Sequence, residues 1–168
     1  EQDIDCVQIT YKLNRILPRD IAADKIEPVE DDMHARFSAK SRTYHYYVHS
    51  KRDPFARAYS YELHWLLDFD KMNEAASHLL NVNDFGAFCK SHADVKTTLC
   101  YVTEAQWIQI SPSAWYFRIT ANRFLRNMVR AIVGTLIDVG RNRVKIEEFD
   151  KIIECKNKSG NRADGAHM

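Results

Sequence analysis

Between Phe124 and Ile137, apolar side chains recur in adjacent pairs every fourth residue: Phe124-Leu125, Met128-Val129, Ile132-Val133 and Leu136-Ile137. Only a helix, with about 3.6 residues per turn, gathers such pairs into one broad band. The spacing therefore predicts a long helix over 124–137, ended by Gly140. On the opposite stripe it places Arg123, Arg126 and Arg130, at i, i+3 and i+7.

The segments ahead of this helix are fitted to a sheet. Thr43 to Val48 alternates, with Tyr44, Tyr46 and Val48 on one face and His45, Tyr47 and His49 on the other. Asp68 or Asp70 caps a helix whose Met72, Ala75, Ala76, Leu79 and Leu80 share one side. Leu99 to Ile110 and Trp115 to Thr120 read as a hairpin joined through Ser111-Pro112-Ser113. From Thr43 the order is thus strand, helix, hairpin, helix. The expected class is α+β, a ferredoxin-like β-α-β-β-α domain with an antiparallel sheet, truncated at both ends. Upstream, Ile4 to Leu17 suggests a short helix stopped by Pro18, and Ile21 to Ile26 a short strand. Ile146, Phe149, Ile152 and Ile153 suggest a last short helix, and the polar stretch from Lys156 to Met168 reads as loop.

Composition narrows the class further. The 168 residues are 45% hydrophobic and 28% charged, which excludes a mostly disordered chain. No apolar run approaches the roughly 20 residues of a membrane helix. Because the chain opens on Glu1 rather than Met, it is expected to be part of something longer. Cys6, Cys89, Cys100 and Cys155 are scattered without a C-x-x-C pair, a pattern of free thiols in a reducing, cytoplasmic setting.

The net charge of +1 hides segregation: residues 1–33 hold nine acids and four bases, 36–57 six bases against Asp53, and 118–145 seven bases against Asp138. Two basic blocks converging on one face would attract a polyanion; dispersed, they are solvated surface.

Several chemistries can be set aside. His45 and His49 have H-x-x-x-H spacing, but on a strand their rings lie roughly 13 Å apart, too far for one metal. No G-x-S-x-G and no glycine-rich phosphate loop occurs. What remains is the arginine stripe, whose planar forks suit phosphate or carboxylate, and tyrosines beside Arg42, the composition of a base-stacking surface. The residues alone point to a nucleic-acid-facing α+β domain, with a solvated or protein-binding face as the alternative.

Three runs carry a specific resemblance. His34-Ala35-Arg36-Phe37-Ser38-Ala39 followed by Arg42-Thr43-Tyr44-His45-Tyr46, then Asn83-Asp84-Phe85-Gly86-Ala87-Phe88, then Asn122-Arg123-Phe124-Leu125-Arg126-Asn127-Met128-Val129-Arg130 with Ile132-Val133-Gly134, resemble the tRNA pseudouridine synthase A family in order and spacing. Leu17-Pro18-Arg19-Asp20-Ile21 is similar to a stretch that precedes them there. The resemblance implies an isomerase that turns uridines of the tRNA anticodon stem-loop into pseudouridine without cofactor or metal, cytoplasmic and homodimeric, with tRNA as partner. It implies that Tyr44 lies against the target base and that Arg130 is the active-site arginine pairing with the nucleophilic aspartate. Gly134 would let its helix pack closely. Arg123 and Arg126 match no catalytic position, and phosphate binding is inferred for them.

That aspartate belongs to a G-R-T-D-A-G-V-H motif, which is missing here. The nearest string, Arg162-Ala163-Asp164-Gly165, falls in the polar tail, so truncation is the simpler reading and the fragment is expected to be inactive. Residues 1–35 are then a remnant of an N-terminal α/β domain, and 36–168 a C-terminal one lacking its last strand. A non-catalytic RNA-binding module of the same shape is the alternative.

Overall fold

The computed structural model describes residues 4–89 and 96–155. Its contacts divide the chain into two compact units, Glu1–Ala39 and Lys40–Met168.

The first unit holds α1 (Cys6–Ile16), capped by Asp5, whose Oδ1 accepts from Gln8 N at 2.9 Å. Leu17 turns extended ahead of Pro18, as the residue before a proline prefers. The strand expected over Ile21 to Ile26 does not form. The Asn14 side chain takes both backbone groups of Ala23, at 2.7 Å each, so they are satisfied without a partner strand. No residue of α1 is buried, and Val7 and Ile16 are largely exposed.

The second unit is an α+β domain of ferredoxin-like type. Its elements are β1 (Arg42–His49), β2 (Tyr61–Glu62), α2 (Phe69–His78), β3 (Val102–Ser111), β4 (Ala114–Ala121), α3 (Met128–Gly140) and α4 (Ile146–Glu154). The sheet order is β2-β1-β4-β3. β1 and β3 run antiparallel to β4, whereas β2 is parallel to β1, so the sheet is mixed rather than wholly antiparallel. Two residues of strand carry no periodicity, which is why β2 escaped the sequence pattern.

Asp68 is the cap of α2, its Oδ1 accepting from Lys71 N at 3.0 Å. The helices cover one sheet face: Met72, Ala75, Phe117, Ile119, Ile132, Leu136 and Phe149 are buried in one cluster with Trp107. Gly140 marks the closest approach, since a Cβ there would lie 2.8 Å from Met72 Cγ and nearer still to its Sδ. Gly134 is also buried on α3. Leu99 lies outside β3, paired with Asp84 in an isolated bridge. Asp84 Oδ1 accepts from Gly86 N (3.0 Å) and Thr98 Oγ1 (2.6 Å), setting the turn that buries Phe85 and Phe88.

The main correction concerns the long helix. It begins at Met128, not Phe124, because Asn127 sits in the left-handed region at φ 70°. A short turn, closed by Met128 N donating to Leu125 O (3.2 Å), precedes it and drops Leu125 into the core. The Phe124-Leu125 pair is apolar because it packs, not because it is helical. Arg123 and Arg126 therefore do not share a helical stripe with Arg130; only Arg130 lies on α3.

Candidate nucleic-acid interface

Where β1 begins and α3 begins, the chain leaves a concavity of about 520 Å³ lined by Tyr44, Tyr46 and residues 124–130. Asn122 stands just ahead of the lining turn: its side chain accepts from Tyr101 N at 2.8 Å and its carbonyl from Arg42 Nη1 at 2.9 Å. That double tie joins the ends of β1, β3 and β4 and fixes where the turn over 123–127 starts. From it, Phe124 meets Tyr44 edge to face, with centroids 5.1 Å apart and planes at 87°, the arrangement aromatic quadrupoles favour. Tyr44 stays 49% exposed, one ring face open to the concavity.

Tyr44 and Arg130 line the same pocket. Arg126 lines it too, whereas Arg123 does not. Arg130 stands in the first turn of α3, whose free N–H groups carry partial positive charge. Cation and helix terminus together favour an anion here, a carboxylate or a phosphate. None of the lining residues is Asp or Glu, and Arg130 forms no ion pair among the described residues. The pocket has the cation and the aromatic wall of a site, with no acid in its lining. Asp164 lies outside the described residues.

Tyr46 is the lining residue that sequence reasoning passed over, although its alternation with Tyr44 already put both on one face. Burial pushes its phenol pKa up; nearby Tyr61 pushes the same way, and Arg130 opposes them. The opposite sheet face carries a second aromatic group: the Tyr116 ring is 4.9 Å from His45 and 5.5 Å from Tyr47, centroid to centroid.

Comparison with known proteins identifies the family of the chain. The tRNA pseudouridine synthase family model matches residues 75–166. Among curated relatives, tRNA pseudouridine synthase A of Bacteroides fragilis is 49% identical over 166 residues, covering 98% of this chain and 66% of its own length. That of Parabacteroides distasonis is 53% identical over 154 residues, covering 92% and 61%. The Bacillus subtilis protein of the same name is 37% identical over 159 residues, covering 92% and 64%. The chain thus spans 61–66% of the length of these relatives. With a family model over more than half the chain and this identity along nearly all of it, the chain belongs to the tRNA pseudouridine synthase family.

Proposed function

We propose that this chain is the C-terminal part of a tRNA pseudouridine synthase and supplies the Tyr44–Arg130 wall of its active site. The observation that carries the reading is the pocket itself: an open tyrosine face and a helix-terminal arginine in a concavity with no acid of its own. An aspartate from outside this sequence would complete it. A carboxylate beside Arg130 stays ionised, because the cation stabilises the charged form, and an ionised carboxylate is the nucleophile the reaction needs.

The chemistry balances without an added reagent. The carboxylate displaces uracil N1 from C1′ of the ribose, and the freed base turns while held against Tyr44. Its C5 then displaces the carboxylate from C1′, the C5 proton leaves to a base, and N1 takes up one proton from solvent, so no net proton is gained or lost. Tyr44, with a phenol at the pocket, is placed to pass the C5 proton onward. Arg123 and Arg126, next to the pocket in sequence, would hold phosphates of the anticodon stem-loop.

The same reading takes the unit around α1 as the remnant of a preceding domain: a helix with no buried residue and exposed Val7, Tyr11 and Ile16 has apolar surface for a neighbour to cover. It also takes the intact protein as cytoplasmic and homodimeric. Among the described residues no helix is long and apolar enough to cross a membrane.

The test is tritium release from unmodified tRNA labelled at uridine C5, since each conversion frees one C5 hydrogen. The intact protein should release it and the 168-residue chain alone should not. Release by the chain alone would reopen Asp164 as the nucleophile. No release by the intact protein would end the reading in favour of a non-catalytic RNA-binding module.

A further inference from the structure

At the other end of β1, about 17 Å from Tyr44 at ~3.3 Å per residue, lies a larger cleft of about 670 Å³. The loop over 50–60, which links β1 to β2, forms one wall, and the β3–β4 turn forms the other. The loop is pinned at both ends: Ser50 N donates to Ser113 O at 2.8 Å, and His49 Nδ1 pairs with Ser60 Oγ at 2.8 Å. Within it, Asp53 Oδ1 accepts from Phe55 N at 2.8 Å. Phe55 and Tyr59 are 92% and 75% exposed, although a buried ring gains about 1.5–3 kcal/mol. Lys51 and Arg52 line the same cleft, with Asp53 as the acid among its lining residues. Tyr47, also in the lining, belongs to the aromatic group with Tyr116 and His45 on the open sheet face.

We propose that this cleft is a second RNA-contact site, separate from the Tyr44–Arg130 pocket. It takes an unpaired nucleotide, with the base on the ring faces of Tyr47, Phe55 or Tyr59 and the phosphate beside Lys51 and Arg52. Exposed rings interleaved with cations on a fixed loop are what single-stranded nucleic acid requires, because every base offers a π-face and every linkage a negative charge. The loop carries three bases (Lys51, Arg52, Arg57) against Asp53, which complements a polyanion. The inference rests on the proposed tRNA substrate, and it adds a contact that the isomerisation pocket does not supply.

Fluorescence anisotropy with two labelled probes, a single-stranded uridine 12-mer and an unmodified anticodon stem-loop, tests it on the 168-residue chain. Phe55→Ser/Tyr59→Ser should weaken 12-mer binding about tenfold, as expected for losing a base stack. Lys51→Gln/Arg52→Gln should weaken it and lower the salt slope by about 0.7 for each phosphate released. Circular dichroism checks folding, and if the aromatic variant fails to fold the charge variant decides. If unmutated, folded chain binds neither probe, this inference falls, and the tRNA reading is decided by tritium release from the intact protein. If Arg126→Gln/Arg130→Gln abolishes binding while both cleft variants bind normally, the tRNA reading stands and this inference falls. If the cleft variants change only the molecular mass by light scattering, the face is an interface between copies, and the inference is likewise overturned.

Discussion

Replacing Phe124 with Ala removes the ring that stands edge-on to Tyr44, and the structure sets the size of the effect. Phe124 is only partly buried, so truncation should cost less than the ~3–5 kcal/mol of a fully buried Phe→Ala, about 2 kcal/mol. Tyr44→Ala, at a half-exposed ring, should cost about 1 kcal/mol. The two should not add. Edge-to-face pairs contribute about 0.5–1.5 kcal/mol beyond area, so the double variant should be about 1 kcal/mol more stable than the sum of the singles predicts. Phe124→Leu keeps most of the apolar mass while losing the ring edge, and should fall between. Urea unfolding followed by tryptophan fluorescence, with Trp107 buried in the core against Phe117, measures all four variants. Additivity within about 0.3 kcal/mol would refute the claim that Phe124 fixes the wall of the pocket.

A Tyr46 pKa raised by burial contributes stability that is fully present below the unfolded phenol pKa and lost as pH rises through the folded value. Stability should therefore fall above pH 10, and Tyr46→Phe should remove that limb of the profile in urea titrations. Gly140→Ala should destabilise by about 1–3 kcal/mol through overpacking against Met72, and in a Met72→Ala background the same change should cost less; no loss in thermal melting would contradict the close approach. Arg123→Ala/Arg126→Ala should weaken binding to any RNA sequence about equally and lower the salt slope by roughly 0.7 per phosphate lost, without changing the melting temperature. An unchanged slope would leave both arginines as solvated surface.

Legibility in the sequence followed the physics of each segment. The strands β3 and β4 and the helix α2 were readable because one face of each is buried, and burial writes a period into the chain; β1 was readable from its run of β-forming residues, although its Tyr44–Tyr46 face is only partly covered. The pairing of Tyr44 with Tyr46 followed from the same alternation. The start of α3 was not readable. Phe124 and Leu125 satisfy a helical spacing while packing from a turn, and only the left-handed backbone of Asn127 separates the two cases. That misreading created an arginine stripe that the fold does not contain. β2 was invisible because its two residues are strand only by lying beside Val48 and His49. Ile21 to Ile26 looked like a strand by composition, but the side chain of Asn14 answers the backbone of Ala23 instead.

The central claim is that Arg130 serves the uridine-converting chemistry of the intact protein, and tritium release from C5-labelled tRNA by an Arg130→Ala variant tests it most directly. Loss of a fixed cation beside the nucleophile should lower kcat about 100-fold or more. Tight binding should survive, since the phosphate contacts proposed for Arg123 and Arg126 are untouched. A variant that keeps its turnover, or loses it only in step with its affinity for tRNA, would contradict the account.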